Sequence, residues 1–202
     1  MAIDSYIHRI APGAPGKPIL FAFHGTGGDE NQFFDFARRM VPDATVVSPR
    51  GDVSEGGAAR FFRRQAEGVY DIADLARATE KMAGFIAAHR EAAKAGPVLG
   101  LGFSNGANIL ANLVIERGLF DAAALLHPLI PFQPDANPAI AGRSILITAG
   151  ERDPICPPLL SRALGDYFEA QGAELRFDWL PGGHELCPKE IEAMRALFAP
   201  YR

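Results

Sequence analysis

Short apolar runs alternate along the chain with longer segments whose apolar residues recur every three or four positions. The runs at 18–23 (PILFAF), 45–48 (TVVS), 97–101 (PVLGL), 121–126 (DAAALL), 144–149 (SILITA) and 174–180 (ELRFDWL) predict strands. Most are apolar on both faces, as a parallel sheet covered by helices on each side requires. A further run at 3–10 (IDSYIHRI) alternates imperfectly and predicts an edge strand. Helical patterns fall near 31–40, 71–94, 105–117, 157–171 and 187–199. In the second, Ile72, Leu75, Thr79, Met82, Phe85, Ile86 and His89 form one stripe, and Gly96 is placed to end it. The third is apolar nearly all round and therefore belongs in the interior. Strand and helix alternating in this way predict an α/β fold: a mostly parallel sheet of six or seven strands, helices on both faces and right-handed crossovers. With no repeat, linker or insertion long enough for a separate cap domain, residues 1–202 are expected to form a single domain.

Open α/β sheets bind ligands outside the carboxyl ends of their strands. The segments there are HGTGGDEN (24–31), SPRGD (48–52), GFSNG (102–106), HPLIPF (127–132), GERDP (150–154) and PGGHE (181–185). Polar residues and glycines collect in them repeatedly. GFSNG matches G-x-S-x-G, a pattern that six serines among 21 glycines would produce by accident in roughly one such chain in fifteen. Its context is more specific: a strand precedes it and a buried helix follows. A sharp strand-to-helix turn strains the backbone at Ser104 and leaves no room for side chains at Gly102 and Gly106. An N-cap serine in a tight turn would explain the helix start but not both glycines. The turn would expose the Ser104 hydroxyl beside a helix N-terminus, with the backbone N–H of Asn105 aimed at a developing anion.

A serine hydroxyl needs a neighbouring base. Of the five histidines, His8 and His89 lie on an edge strand and a long helix, whereas His24, His127 and His184 lie at strand ends. A nucleophile turn of this kind presents its triad in the order serine, acid, histidine. His24 precedes Ser104, and the acid available to His127, Asp121, would sit at the wrong end of its strand. His184 remains, with Asp153 or Glu151 of GERDP as the acid; Asp153, backed by Pro154, is the better placed of the two. In these roles Ser104 attacks a carbonyl, His184 carries its proton and Asp153 fixes the imidazole. The glycines of HGTGGD let the backbone approach, and Thr26 would offer the second N–H of an oxyanion hole. HGTGGD lacks a P-loop ending and the dinucleotide glycine pattern, and Pro188 breaks an HExxH reading of His184-Glu185.

Charge and composition narrow the remaining classes. Net charge is −4, and the basic residues are scattered, which argues against nucleic acid as a partner. The N-terminus has no signal-peptide pattern, and no apolar run is long enough for membrane insertion, so a cytoplasmic protein is expected. Cys156 and Cys187 form no zinc spacing, and no metal is expected; they fit a reducing compartment, each three residues beyond a proposed triad member. Phe61, Phe62 and Arg63 of AARFFRR, with Leu129, Ile130 and Phe132 of HPLIPF, are candidate walls of a substrate pocket.

The segments HGTGGD, GFSNGA, GERDP and PGGH, in this order and spacing, resemble the α/β-hydrolase fold. Within it they resemble the phospholipase/carboxylesterase family, which includes acyl-protein thioesterases. The resemblance covers nearly the whole chain, and GFSNGANI followed by HPLIPF is similar to a compact bacterial branch. It implies hydrolysis of a small-molecule carboxylic ester or thioester without a cofactor, through Ser104, Asp153 and His184, with an oxyanion hole at Thr26 and Asn105. Many thioesterase members carry leucine and glutamine at those last two positions, so long protein-bound acyl chains are not implied. A short chain without a cap implies an open, shallow pocket suited to small acyl groups, and it leaves a homodimer open. A lactone hydrolase resembling dienelactone hydrolases, a small peptidase and a non-catalytic hydrolase-fold scaffold are the alternatives. The lactone enzymes usually carry cysteine where this chain has Ser104, and scaffolds often lose a triad member.

Overall fold

The computed structural model describes residues 2–202. The chain runs β1 (His8–Ala11), β2 (Ile19–Phe23), α1 (Phe34–Met40), β3 (Thr45–Pro49), four short strands β4 (Val53–Glu55), β5 (Ala58–Arg60), β6 (Arg64–Ala66) and β7 (Val69–Tyr70), then α2 (Ile72–Ala93). It continues through β8 (Val98–Phe103), α3 (Asn105–Arg117), β9 (Ala122–Leu126), β10 (Ser144–Gly150), α4 (Pro158–Ala170), β11 (Glu174–Leu180) and α5 (Pro188–Phe198). One seven-stranded sheet has the order β1-β3-β2-β8-β9-β10-β11, parallel except for β1, which pairs antiparallel with β3. This is the α/β-hydrolase architecture that the alternation of apolar runs and helical stripes predicts.

Burial on both faces explains the uniformly apolar strands. In β2, Ile19, Phe21 and Phe23 join the core beneath α2, α3 and α4, while Leu20 and Ala22 join the one beneath α1 and α5. Every β2 residue is buried. The helix α3 lies against the centre of the sheet, and its residues 105–115 are all buried. That is why this stretch has no charged face: its polar residues, Asn105, Asn108 and Asn112, are buried and spend their side chains on internal hydrogen bonds.

The structure departs from the sequence expectation at several points, and α1 begins at Phe34, three residues later than expected. Residues 2–4 form a 3-10 turn, and the edge strand begins only at His8, where pairing with Pro49 starts. The helix α2 ends within a residue of the expected 71–94, but Lys94 terminates it in place of Gly96: Lys94 takes the left-handed conformation, and the Ala95 N–H closes on the Arg90 carbonyl. Gly96 serves a different need, since a Cβ there would sit 2.7 Å from the Gly16 carbonyl oxygen. Between β3 and α2, the four short strands form two hairpins, β4/β5 and β6/β7. These strands are only two to three residues long and partly polar, so they carry no period that a sequence reading can detect. They form one wall of the site.

Candidate functional site

The turn between β8 and α3 is as tight as its sequence suggests. Ser104 has φ 51° and ψ −119°, a strained conformation for a residue with a side chain, and its N–H is tied to the Leu126 carbonyl at 2.9 Å. A Cβ on Gly102 would lie 2.5 Å from the Gly106 carbonyl oxygen, and one on Gly106 would run into the carbonyl oxygens of Phe23 and His24. Both glycines are thus steric requirements of the turn.

Two later loops meet at this turn. The Nε2 of His184 lies 2.8 Å from Ser104 Oγ, and its Nδ1 lies 2.7 Å from Asp153 Oδ2. The loops are held together by close backbone contact: a Cβ on Gly150 would collide with the Gly183 carbonyl oxygen. Asp153 is buried, and its Oδ1 accepts the N–H groups of Ile155 at 2.8 Å and Cys156 at 2.9 Å. Burial opposes its charge, but these N–H donors and the His184 ring outweigh burial and hold its pKa below the ordinary carboxylate range. Glu151, the other acid considered, is exposed, and its backbone N–H pairs with the Leu180 carbonyl.

Thr26 and Asn105 face the same cleft as Ser104 and His184, which has a volume of about 300 Å³. Asn105 is the first residue of α3, so its N–H has no partner within the helix. Among the described residues, the Thr26 N–H donates to no protein acceptor. The HGTGG loop that carries Thr26 is braced from behind by His24, whose Nε2 accepts the Gly51 N–H at 2.9 Å while Nδ1 faces the Gly25 carbonyl at 2.7 Å. Burial lowers the pKa of His24 and keeps it neutral for this task. Arg60, almost fully buried, donates to Thr26 Oγ1 at 2.8 Å.

The walls of the cleft differ from those expected. Of the six candidate residues, only Leu129 lines it, together with Arg60, Arg64, Tyr70, Asn108 and Ile155. Phe61 and Phe62 have no exposed surface and belong to the core. The Phe61 N–H instead bonds Asn105 Oδ1 at 2.8 Å, which fastens the hairpin segment to the serine turn. Arg63 points to solvent and pairs with Asp71 and Asp74. Ile130 and Phe132 face a separate cavity beside α4. Hydrophobic identity placed these residues near the site but not on the correct side of the chain: the aromatic pair is turned inward, and the flanking Arg60 and Arg64 face the cleft. Asn108, missed by the sequence reading, is one helical turn beyond Ser104, and its Oδ1 holds the Leu129 N–H at 2.7 Å. Tyr70 donates to the Leu129 carbonyl at 2.6 Å.

Cys156 is a free, buried thiol on the cleft wall, 3.9 Å from His184 Nδ1, and burial pushes its pKa up. Cys187 is also free and lines a different groove, between α1 and α5. His127, discounted from sequence, lies against Asp153: its Nδ1 is 3.2 Å from the same Oδ2 that His184 contacts. Ligand atoms of His127, Asp153 and His184 fall within 4.8 Å of one another, as in a metal site. Both ring Nδ1 atoms, however, face the one carboxylate oxygen at hydrogen-bond distances, the arrangement of donors around an anion. Among the described residues, no helix is long and apolar enough to cross a membrane.

The chain is similar to a known bacterial sequence and to several solved structures. It is 38% identical over 180 residues to the putative hydrolase MhqD of Bacillus subtilis (strain 168), covering 88% of this chain and 90% of that protein. The crystal structure of Atu2452 from Agrobacterium tumefaciens str. C58, a protein of unknown function, superposes with a TM-score of 0.95 at 59% identity, with all of both chains covered. A Bacillus cereus carboxylesterase superposes with a TM-score of 0.90 at 34% identity, covering 98% of this chain and 95% of the other. The model of the dienelactone hydrolase family matches residues 52–190. That span includes all three members of the Ser104, Asp153 and His184 cluster, and the chain belongs to the dienelactone hydrolase family.

Proposed function

We propose that the protein is a cofactor-independent serine carboxylesterase acting on small or short-chain esters. The observation that carries this reading is the continuous path from Ser104 Oγ to His184 Nε2 (2.8 Å) and from His184 Nδ1 to Asp153 Oδ2 (2.7 Å). Ser104 Oγ attacks the ester carbonyl as its proton passes to His184 Nε2. The oxyanion is received by the N–H groups of Thr26 and Asn105. The tetrahedral adduct collapses, and His184 protonates the departing alcohol. Water then attacks the acyl-enzyme as its proton passes to His184, and collapse of the second adduct releases the acid and returns that proton to Ser104 Oγ. Asp153, locked by two backbone N–H groups, keeps the His184 proton on Nδ1 and stabilises the imidazolium.

The cleft volume of about 300 Å³ is at the small end for ligand sites and favours short acyl groups. The carboxylesterase from Bacillus cereus, at 34% identity, supports the same reaction class. Family membership is also consistent with a cyclic ester as substrate, which the same steps would open. Comparing turnover of p-nitrophenyl acetate with that of a small lactone separates the two.

The test of the serine mechanism is labelling with a fluorophosphonate and mass spectrometry of the modified peptide. A label on Ser104 that His184→Ala abolishes is the expected result. Ser104→Ala should lower kcat by several orders of magnitude, up to roughly a millionfold. Survival of ester hydrolysis in that variant overturns the assignment.

A further inference from the structure

Behind the triad lies a second histidine that the proposed chemistry does not use. His127 follows β9 with a φ of 50°, in the left-handed region, and its side chain has no exposed surface. Its N–H donates to the Thr148 carbonyl at 3.0 Å, and its carbonyl accepts the Cys156 thiol at 3.3 Å. The ring stands between two buried carboxylates. Nδ1 lies at hydrogen-bond distance, 3.2 Å, from Asp153 Oδ2, whereas Nε2 lies 3.3 Å from Glu190 Oε1, an ion-pair distance without a hydrogen bond. Glu190 is itself held at both oxygens, by the Thr148 hydroxyl at 2.7 Å and the Cys187 N–H at 2.6 Å.

A neutral imidazole has one N–H and one lone pair. In either tautomer, its lone pair would face one of these carboxylates in a site without exposed surface, an uncompensated repulsion. The imidazolium instead turns a positive N–H edge toward each, donating to Asp153 and forming an ion pair with Glu190. The remaining titratable groups near it are the His184 ring, 5.3 Å away between centroids, the protonated Cys156 thiol and the exposed Glu185. Burial works against a charge on His127, but Glu190 and Asp153 outweigh it and raise its pKa above the ordinary histidine range.

We propose that His127 is a standing imidazolium clamp: a positioning residue that holds Asp153 Oδ2 in front of His184 and, through Glu190, ties it to the loop carrying His184. Glu190 accepts the N–H of Cys187, three residues beyond His184, so the acid and the base are gripped from one cation. The cluster of Asp153, Glu190 and His127 keeps the net charge of a single carboxylate. The clamp also places a positive charge beside His184, which favours the unprotonated base. This inference rests on the serine-triad reading above.

Long-range nitrogen–proton NMR of the histidine rings tests it directly, and the Ser104→Ala protein serves equally well because no turnover is needed. At pH 7, above the ordinary histidine pKa of about 6.5, His127 should show both ring nitrogens protonated; one bare nitrogen at that pH overturns the proposal. A second arm uses the double variant His127→Gln/Glu190→Gln, which removes both charges and keeps polar groups in place. If the clamp is cationic, the nearer charge lost is positive. The acid-side midpoint of kcat/KM then moves up, by about half a pH unit or more, and kcat falls more than KM changes. If His127 were neutral, the only charge removed would be the negative one of Glu190, and a midpoint that moved down would overturn the proposal. Should the double variant fail to unfold cooperatively on heating, the ring protonation decides alone. Residual esterase activity in Ser104→Ala would overturn the serine mechanism and leave the NMR result on His127 intact.

Discussion

Replacing Gly102 by alanine puts a methyl carbon 2.5 Å from the Gly106 carbonyl oxygen, 2.7 Å from the Gly106 carbonyl carbon and 2.8 Å from the Ala107 nitrogen. All three are backbone atoms of the first turn of α3, so no side chain can swing away. Ordinary nonbonded contact needs roughly 3.5 Å, so the turn must open by about 1 Å. Ser104 Oγ rides on that turn, 2.8 Å from His184 Nε2. A displacement of this size in a reacting group costs on the order of 100-fold in rate. Overpacking costs about 1–3 kcal/mol of stability, or roughly 2–12 °C in Tm for a chain of this size. The assay is kcat/KM on p-nitrophenyl acetate beside a thermal unfolding curve. Gly84→Ala supplies the control, because its nearest neighbour would be 4.0 Å away in the exposed interior of α2. That substitution should stabilise by about 0.5–1 kcal/mol and leave the rate unchanged. If Gly102→Ala keeps activity within threefold and loses no stability, the steric account of the turn is wrong.

Asn105→Ala leaves the backbone N–H beside the serine in place but strands the buried Phe61 N–H; stability should fall by about 1–3 kcal/mol, read as the urea midpoint, and an unchanged midpoint would refute the role of Asn105 Oδ1. Asp74 Oδ2 accepts the Arg63 N–H at 2.7 Å and Oδ1 accepts Arg77 Nε at 2.6 Å, so Asp74→Ala should cost about 2–3 kcal/mol in the same measurement. The pKa values of Asp153, Glu190 and Asp74 are all lowered: burial opposes each charge, but N–H donors and cationic partners outweigh it. Their contribution to stability is present above the unfolded values near 4 and is lost as the pH falls through the lowered folded values. His127, with a raised pKa, acts in the opposite sense: its contribution is complete below about 6.5 and is lost as the pH rises through its folded value. Guanidinium midpoints measured from pH 3 to pH 9 should therefore decline at both ends, and a flat profile between pH 5 and 3 would refute the carboxylate assignments.

Much of the fold is legible in the chain because its causes are local. Parallel strands buried on both faces must be apolar throughout, so PILFAF, DAAALL and SILITA mark themselves. A buried helix after a glycine-flanked serine likewise shows in a dozen consecutive residues, and Ser104 follows from them. Chain order carried the reading as far as GERDP and PGGHE, although Ser104 and His184 stand 80 residues apart. What the sequence could not express is which side of a segment faces inward. In AARFFRR the hydrophobic pair looks like a pocket wall, yet Phe61 and Phe62 fill the core while Arg60 and Arg64 line the cleft, because two short hairpins set the facing and neither has a period of its own. His127 shows the same limit. Its partners, Asp153 and Glu190, come from two different later segments, and only the parallel stacking of β9 beside β10 with α5 packed on them brings two carboxylates to opposite edges of one ring. Local patterning determines the strands, the helices and the serine turn; the pairing of charges in the interior is decided by tertiary contacts, which no short window of sequence contains.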